Sequence, residues 1–216
     1  MKKMAINQIA LLFVIVSLLS CNSVTKTNES VPNADSAKEC CSKATNQIAA
    51  AETVVPDGSV FNITSKWKTE NEGTFQFGNL AGKVTVAAMI FTSCQSACPR
   101  IVADMKRIES GLTTNELKQV EFLLISMDPQ NDTPKRLKEF AQEHGLNDNW
   151  TLICSDEDAT TEIANVLGVR IKKLSGGGFD HSNVIFVMNS NGVIAHKQDG
   201  LGGEPTETIK IIKSVH

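Results

Sequence analysis

No stretch of this 216-residue chain stays apolar for the ~20 residues that a bilayer-spanning helix needs; its longest such run, Ile9 to Leu19, covers about eleven residues and is broken by Ser17. Six cysteines are too few for a disulfide-dense scaffold, so their positions matter more than their number. Six prolines with 14 glycines exclude a collagen-like or low-complexity chain. Basic residues do not outnumber acidic ones: 21 stand against 24, and Lys2 and Lys3 belong to an N-terminal stretch without acidic residues, so the rest is more acidic still. Nucleic acid is therefore excluded as a partner. There is no internal repeat. Hydrophobic residues at 41% and charged residues at 21% describe an ordinary globular protein, and the length suits one domain with a substantial tail.

Residues 1–20 read as a signal peptide, with two lysines ahead of a short apolar core. Leu18-Leu19-Ser20-Cys21 resembles the bacterial lipobox, in which the cysteine is lipidated and becomes the mature N-terminus. Two or three acyl chains on Cys21 anchor the protein durably to a membrane, facing the periplasm or cell exterior of a bacterium. The plainer alternative is an ordinary cleaved signal with a chance cysteine. Residues 21–56 hold Ser, Thr, Asn, Ala and charge, with five large aliphatics and no aromatic residue, which predicts a flexible tether. Cys40 and Cys41 lie within it as accessory thiols able to collect soft metal ions or exchange disulfides.

Residues 57–216 alternate strand-like and helix-like segments, an α/β pattern. Val60 to Ile63 and Trp67 to Phe77 suggest short β structure turning at Gly73 and Gly78. Val84 to Thr92, Val120 to Met127 and Trp150 to Cys154 read as buried strands. Helices are expected from about Pro99 to Gly111, with Ile101, Val102, Met105 and Ile108 inward, and from Thr133-Pro134 to Gly145, with Leu137, Phe140 and Ala141 inward. A third should follow Ser155, with Ile163, Val166 and Leu167 inward, and a fourth should start near Glu204. Asn183 to Lys197 reads as a β-hairpin around Asn189-Ser190-Asn191-Gly192. The order matches a thioredoxin-like fold with extra N-terminal β structure and a β-hairpin insertion.

Cys94 and Cys98, in Cys94-Gln95-Ser96-Ala97-Cys98-Pro99, fall where the first long strand meets the first helix. A helix N-terminus stabilises a thiolate, so Cys98, nearer the helix, is expected to be the more acidic thiol. Three intervening residues let the sulfurs splay around an ion or close as a disulfide. Two thiolates select soft ions, above all Cu(I), and an imidazole completes a three-coordinate site. His144 sits in a helix's last turn, His216 ends the chain, and His196 reads as a half-exposed strand residue. His181 follows Gly176-Gly177-Gly178-Phe179-Asp180 at the entrance of a strand, on a segment able to move toward a ligand; it reads as a metal ligand or, more plainly, as a structural histidine. Cys154, in an apolar run, reads as an inert core thiol.

Phe91-Thr92-Ser93-Cys94-Gln95-Ser96-Ala97-Cys98-Pro99, Ser126-Met127-Asp128-Pro129-Gln130-Asn131-Asp132-Thr133-Pro134 and Asp180-His181-Ser182, in that order, resemble the SCO/SenC family of copper-binding, thioredoxin-fold proteins that serve cytochrome c oxidase assembly. The resemblance runs from about residue 57 to the C-terminus. It implies that Cys94, Cys98 and His181 bind one copper ion, Cu(I) or Cu(II), and that Asp128 or Asp132 modulates the site. Both aspartates also suit plain turn and helix-start roles. The family usually carries Pro after the first cysteine, where this chain has Gln95, which leaves the loop less constrained. The function expected is a membrane-tethered copper chaperone delivering to a cuproprotein, foremost the copper site of cytochrome c oxidase, rather than an enzyme. The alternative is a thiol-disulfide oxidoreductase cycling Cys94 and Cys98 to reduce client cysteines before metallation. A peroxidase-like thiol and an inert structural disulfide are weaker readings.

Overall fold

The structure, a computed structural model, describes residues 55–175 and 178–215. The signal peptide, lipobox Cys21, the tether up to residue 54 with Cys40 and Cys41, and His216 lie outside the described residues. No helix among the described residues is long and apolar enough to cross a membrane.

Three parallel strands form the centre: β3 (Val84–Ile90), β4 (Val120–Ser126) and β5 (Trp150–Cys154). Their near-continuous apolar runs are what strands covered on both faces require, and every residue of β3 is buried. β1 (Trp67–Thr69) joins β5 antiparallel with β2 (Thr74–Phe75) outside it, while β8 (Val184–Met188) and β9 (Ile194–Asp199) extend the other side antiparallel. The order is β2-β1-β5-β4-β3-β8-β9. Helices α1 (Ala97–Ser110), α3 (Pro134–Glu143), α4 (Glu157–Leu167) and α5 (Thr206–Ser214) cover the sheet, and α2 (Thr114–Leu117) is a single turn with a Thr113/Glu116 capping box. This is the thioredoxin-like arrangement expected.

Several local expectations need correction. Val60–Asn62 is a 3-10 turn, because the Ser59 hydroxyl accepts from Phe61 N and caps it, and Gly78 lies inside a second such turn, Phe77–Leu80. The N-terminal β structure is thus only the β1–β2 hairpin. In α4 the buried stripe is Ala159, Thr160, Ile163, Ala164 and Leu167; Val166 points outward at 42% exposure, because a helix places 163, 164 and 167 on one face and 166 off it. Gly111 does follow α1, yet in right-handed geometry; its missing side chain is explained by contact, since a Cβ there would collide with Ile209 of α5.

A second, two-stranded sheet was not foreseen. β6 (Ile171–Lys173) and β7 (Phe179–His181) pair antiparallel across the glycine segment, outside the central sheet. His181 therefore ends a strand of this ribbon, opposite Ile171, three residues before β8 begins.

The β8–β9 turn docks the N-terminal segment: Ser59 Oγ donates to Asn191 O at 2.6 Å, and Val60 N donates to Gly192 O at 3.0 Å. Gly192 has φ 74°, and a Cβ would lie 2.7 Å from both the Phe61 ring and Ser59 Oγ. Gly192→Ala should therefore combine backbone strain with overpacking and cost roughly 2 kcal/mol or more, read as a lower urea midpoint at unchanged slope.

Candidate metal centre

The carboxyl ends of β3 and β4 are where an open α/β sheet offers a crevice, and both cysteines lie there. The Ser96 side chain makes no capping hydrogen bond at the start of α1. Cys94 Sγ takes that place, accepting from Cys98 N at 3.4 Å. Cys98 is fully buried in the first turn, its sulfur accepting from Phe91 N at 3.5 Å.

The two thiols are consequently unlike, in the opposite sense to the sequence expectation. Partial burial tends to raise the Cys94 pKa, but the combined N–H groups of Cys98, Ser96 and Ala97, with the Cys98 thiol, outweigh it and pull the value below its ordinary 9.0. Burial pushes Cys98 strongly up; the Phe91 N–H opposes this, while the charges of Cys94 and Asp132 add to it. The helix end favours the sulfur lying ahead of its N–H groups, not the one packed within its first turn.

His181 lines the same open cleft as Cys94, about 450 Å3 in volume and bounded by Phe91, the 93–97 loop and β7. Its ring meets Phe91 edge-on at 5.9 Å, and Phe91 meets Phe179 likewise at 5.2 Å. Nδ1 lies 3.1 Å from Ser182 O; a carbonyl can only accept, so Nδ1 donates there and Nε2 is the ring nitrogen left to meet a ligand. Thus the cleft unites Cys94 with His181, while Cys98 lies behind it, outside the lining. Among the described residues, no three His, Cys, Asp or Glu side chains converge closely enough to hold a metal ion.

Asp132 acts beneath the loop. Its buried carboxylate accepts from Thr92 N at 3.2 and 3.3 Å, Thr92 Oγ1 at 2.5 Å and Ser126 Oγ at 2.7 Å, tying β3 to β4 just before Ser93 and Cys94. Burial raises its pKa, the Thr92 and Ser126 hydrogen bonds oppose this, and the Asp128 charge adds to the rise. Asp128, also buried, lies away from the cleft; it accepts from Asn131 Nδ2 at 2.8 Å and lines a different cavity. Cys154 is buried at the end of β5 with its pKa raised, mainly by burial, as befits an inert thiol. His144 follows α3 as its C-terminal cap residue and packs at a tilt against Phe140, and His196 contacts Thr208, so neither belongs to the cleft. The Phe91/Phe179 aromatic support of His181 was missed, because nothing in the residue pattern announces the ribbon that brings Phe179 there.

Two outcomes follow from these contacts. Iodoacetamide should alkylate Cys94 first, at pH values below those needed by an ordinary thiol, and Cys94→Ser should abolish this fast phase while Cys98→Ser retains it. Asp132→Ala strands the buried Thr92 N–H and both hydroxyls, so chemical denaturation should show a loss of about 2–4 kcal/mol.

Comparison with known proteins places the described domain in a family. The SCO1/SenC family model matches residues 59–216. The SCO1 protein homolog of Bacillus subtilis is 28% identical over 135 residues, covering 61% of this chain and 69% of that protein. The crystal structure of a SCO1/SenC family lipoprotein from Bacillus anthracis superposes with a TM-score of 0.65 at 26% identity, covering 70% of this chain and 92% of that one. ScoI of Bradyrhizobium japonicum, in a structure with copper bound, shares the fold at a TM-score of 0.62 and 20% identity, covering 70% of this chain and 96% of that one. With the matched region running through the cysteine loop, the Asp132 turn and the His181 ribbon, the chain belongs to the SCO1/SenC family.

Proposed function

We propose that this protein is a copper chaperone holding one copper ion through Cys94, Cys98 and His181. The observation that carries this reading is the pairing, in one cleft, of a thiol with lowered pKa and an imidazole whose Nδ1 is engaged by a carbonyl, which leaves Nε2 to face a ligand. Thiolate and neutral imidazole are the donor set that favours Cu(I) over harder ions. The third ligand, Cys98, lies four residues on in the first turn of α1, where its N–H already donates to Cys94 Sγ; to bind copper it must give up the proton that burial favours. His181 rides on a ribbon hydrogen-bonded to itself outside the central sheet, so it can approach the sulfurs without disturbing the core. Asp132 holds the cysteine loop in place, and its charge acts on Cys98.

Copper is the cargo, passed by ligand exchange to a cuproprotein client, foremost the copper site of cytochrome c oxidase. Lipidation at Cys21 would place the domain at a membrane, on the periplasmic or outer side. A tether of some 35 residues has an r.m.s. reach of roughly 30 to 35 Å, enough to approach a membrane-bound client.

A thiol-disulfide oxidoreductase is the second reading, favoured by the unequal pair itself: a reactive Cys94 directly beside a buried Cys98 is the arrangement of an attacking and a resolving thiol. His181→Ala separates the two. Anaerobic Cu(I) competition titration should show affinity lowered by roughly a hundredfold or more, with dithiol oxidation nearly unchanged. Unchanged Cu(I) affinity would establish the oxidoreductase instead. The same titration on a chain beginning at Asp57 should still give one copper per protein; zero would assign copper binding to Cys40 and Cys41.

A further inference from the structure

The β6–β7 ribbon leaves one backbone edge open beside the cysteine loop. Ser182 N donates to Arg170 O at 3.2 Å at one end of the ribbon, and Leu174 N donates to Gly178 O at 3.1 Å at the other. Pair types alternate along an antiparallel ladder, so Lys172 and Asp180, midway between those ends, exchange hydrogen bonds, whereas Ile171 with His181 and Lys173 with Phe179 do not. The N–H and C=O of Phe179 and His181 therefore point away from β6. Among the described residues, none of these groups has a hydrogen-bond partner.

That open edge lies in the cleft. Gly178, Phe179, Asp180 and His181 line it as consecutive residues, although the side chains of a strand alternate between faces, so the cleft runs along the edge of β7 rather than under one of its faces. The facing wall is the 93–97 loop with Cys94. The Phe179 and His181 rings share one face of the ribbon and both meet Phe91, which turns that face toward the core. At about 450 Å3 the cleft has the capacity of an ordinary ligand site, room for a short stretch of extended chain.

A row of unpaired backbone donors and acceptors is a template for strand addition. We propose that an extended segment of a protein partner adds to β7 as an antiparallel third strand, pairing its backbone with Phe179 and His181. The register assigns the chemistry of that segment. The partner residue paired with His181 presents its side chain on the same face, its Cβ about 5 Å away; on the copper reading, on which this one assignment rests, it is the soft donor that replaces His181 on the ion. The residue paired with Phe179 meets the same aromatic face and is apolar. The residue between them lies beside Asp180, which is exposed and enters no ion pair among the described residues, even with Lys172 opposite it, so that residue is basic. Soft donor, basic residue, apolar residue, read from the amino end, is the pattern that fits.

The test omits copper, so its outcome is independent of the Cu(I) titrations that decide the copper reading. The isotopically labelled full chain is titrated with the capped peptide Thr-Val-Met-Lys-Val-Thr-Ser and followed by NMR and amide hydrogen exchange. Saturable shifts across residues 178–181 and new protection of the Phe179 and His181 amides are expected, with little change at the Asp180 amide, which is already bonded within the ribbon. N-methylation of the peptide at Met and at the Val after Lys keeps every side chain, removes the paired donors, and should weaken binding about tenfold or more. Exchanging the peptide's Lys for Glu should weaken it roughly two- to fivefold, and Asp180→Asn, at an exposed position, should erase that difference. No saturable shift, exchange at Phe179 and His181 unchanged by the peptide, equal binding of the N-methylated form, indifference to the Lys-to-Glu exchange, or a Lys preference that survives Asp180→Asn would overturn the proposal. Protection of the same amides that grows with protein concentration in the absence of peptide would assign the edge to a second copy of this chain and overturn it likewise.

Discussion

One buried carboxylate sets the geometry on which the cysteine loop depends. Asp132 gathers the amide and hydroxyl of Thr92 and the hydroxyl of Ser126, closing the carboxyl ends of two parallel strands over a single charge. Arg136 reaches the carbonyl of the same Thr92 at 3.5 Å, so the residue two positions ahead of Cys94 is held at both backbone groups. Such a network is worth having only when every member is satisfied, and here the carboxylate accepts at both oxygens. Burial is what chiefly raises the pKa of Cys98 and Cys154, and the Asp132 charge adds to it, so the group that positions the loop also helps keep the inner thiols protonated.

The inequality of the thiols follows from where the loop meets α1. Cys94 lies ahead of the first turn and collects its N–H groups in place of a capping hydroxyl, while Cys98 is inside that turn and pays the desolvation of the core. A half-buried reactive sulfur beside a fully buried one serves ligand exchange as well as disulfide chemistry. The histidine comes from a separate ribbon whose contact with the sheet runs through the Phe91 and Phe179 rings, a softer attachment than strand pairing. The same ribbon also lines the Asp128 cavity, so Phe179 belongs to both linings.

Much of the fold was legible because its signals are local. Unbroken apolar runs marked β3, β4 and β5, and Thr133-Pro134 and Asp156 marked helix starts through capping chemistry that acts within three residues. The short elements were not legible: Val60 and its neighbours look like a strand until Ser59 caps a 3-10 turn, and β6–β7 is too brief and too polar to declare itself. Val166 was misplaced because three apolar residues in a helix of this length define two overlapping faces, and only packing on the sheet chooses between them.

The site divides in the same way. Residue identity and spacing singled out Cys94 and Cys98 and left His181 open between a ligand and a structural histidine; the full set came from the resemblance of the three motifs, in their order, to the SCO/SenC family. Which thiol ionises more readily, which aspartate lies under the cysteine loop and which lines another cavity, and which nitrogen of His181 meets a backbone carbonyl are set by burial and by hydrogen bonds between residues as much as 40 positions apart. Those quantities depend on what surrounds a group in three dimensions, and desolvation in particular has no value until the chain has closed over it.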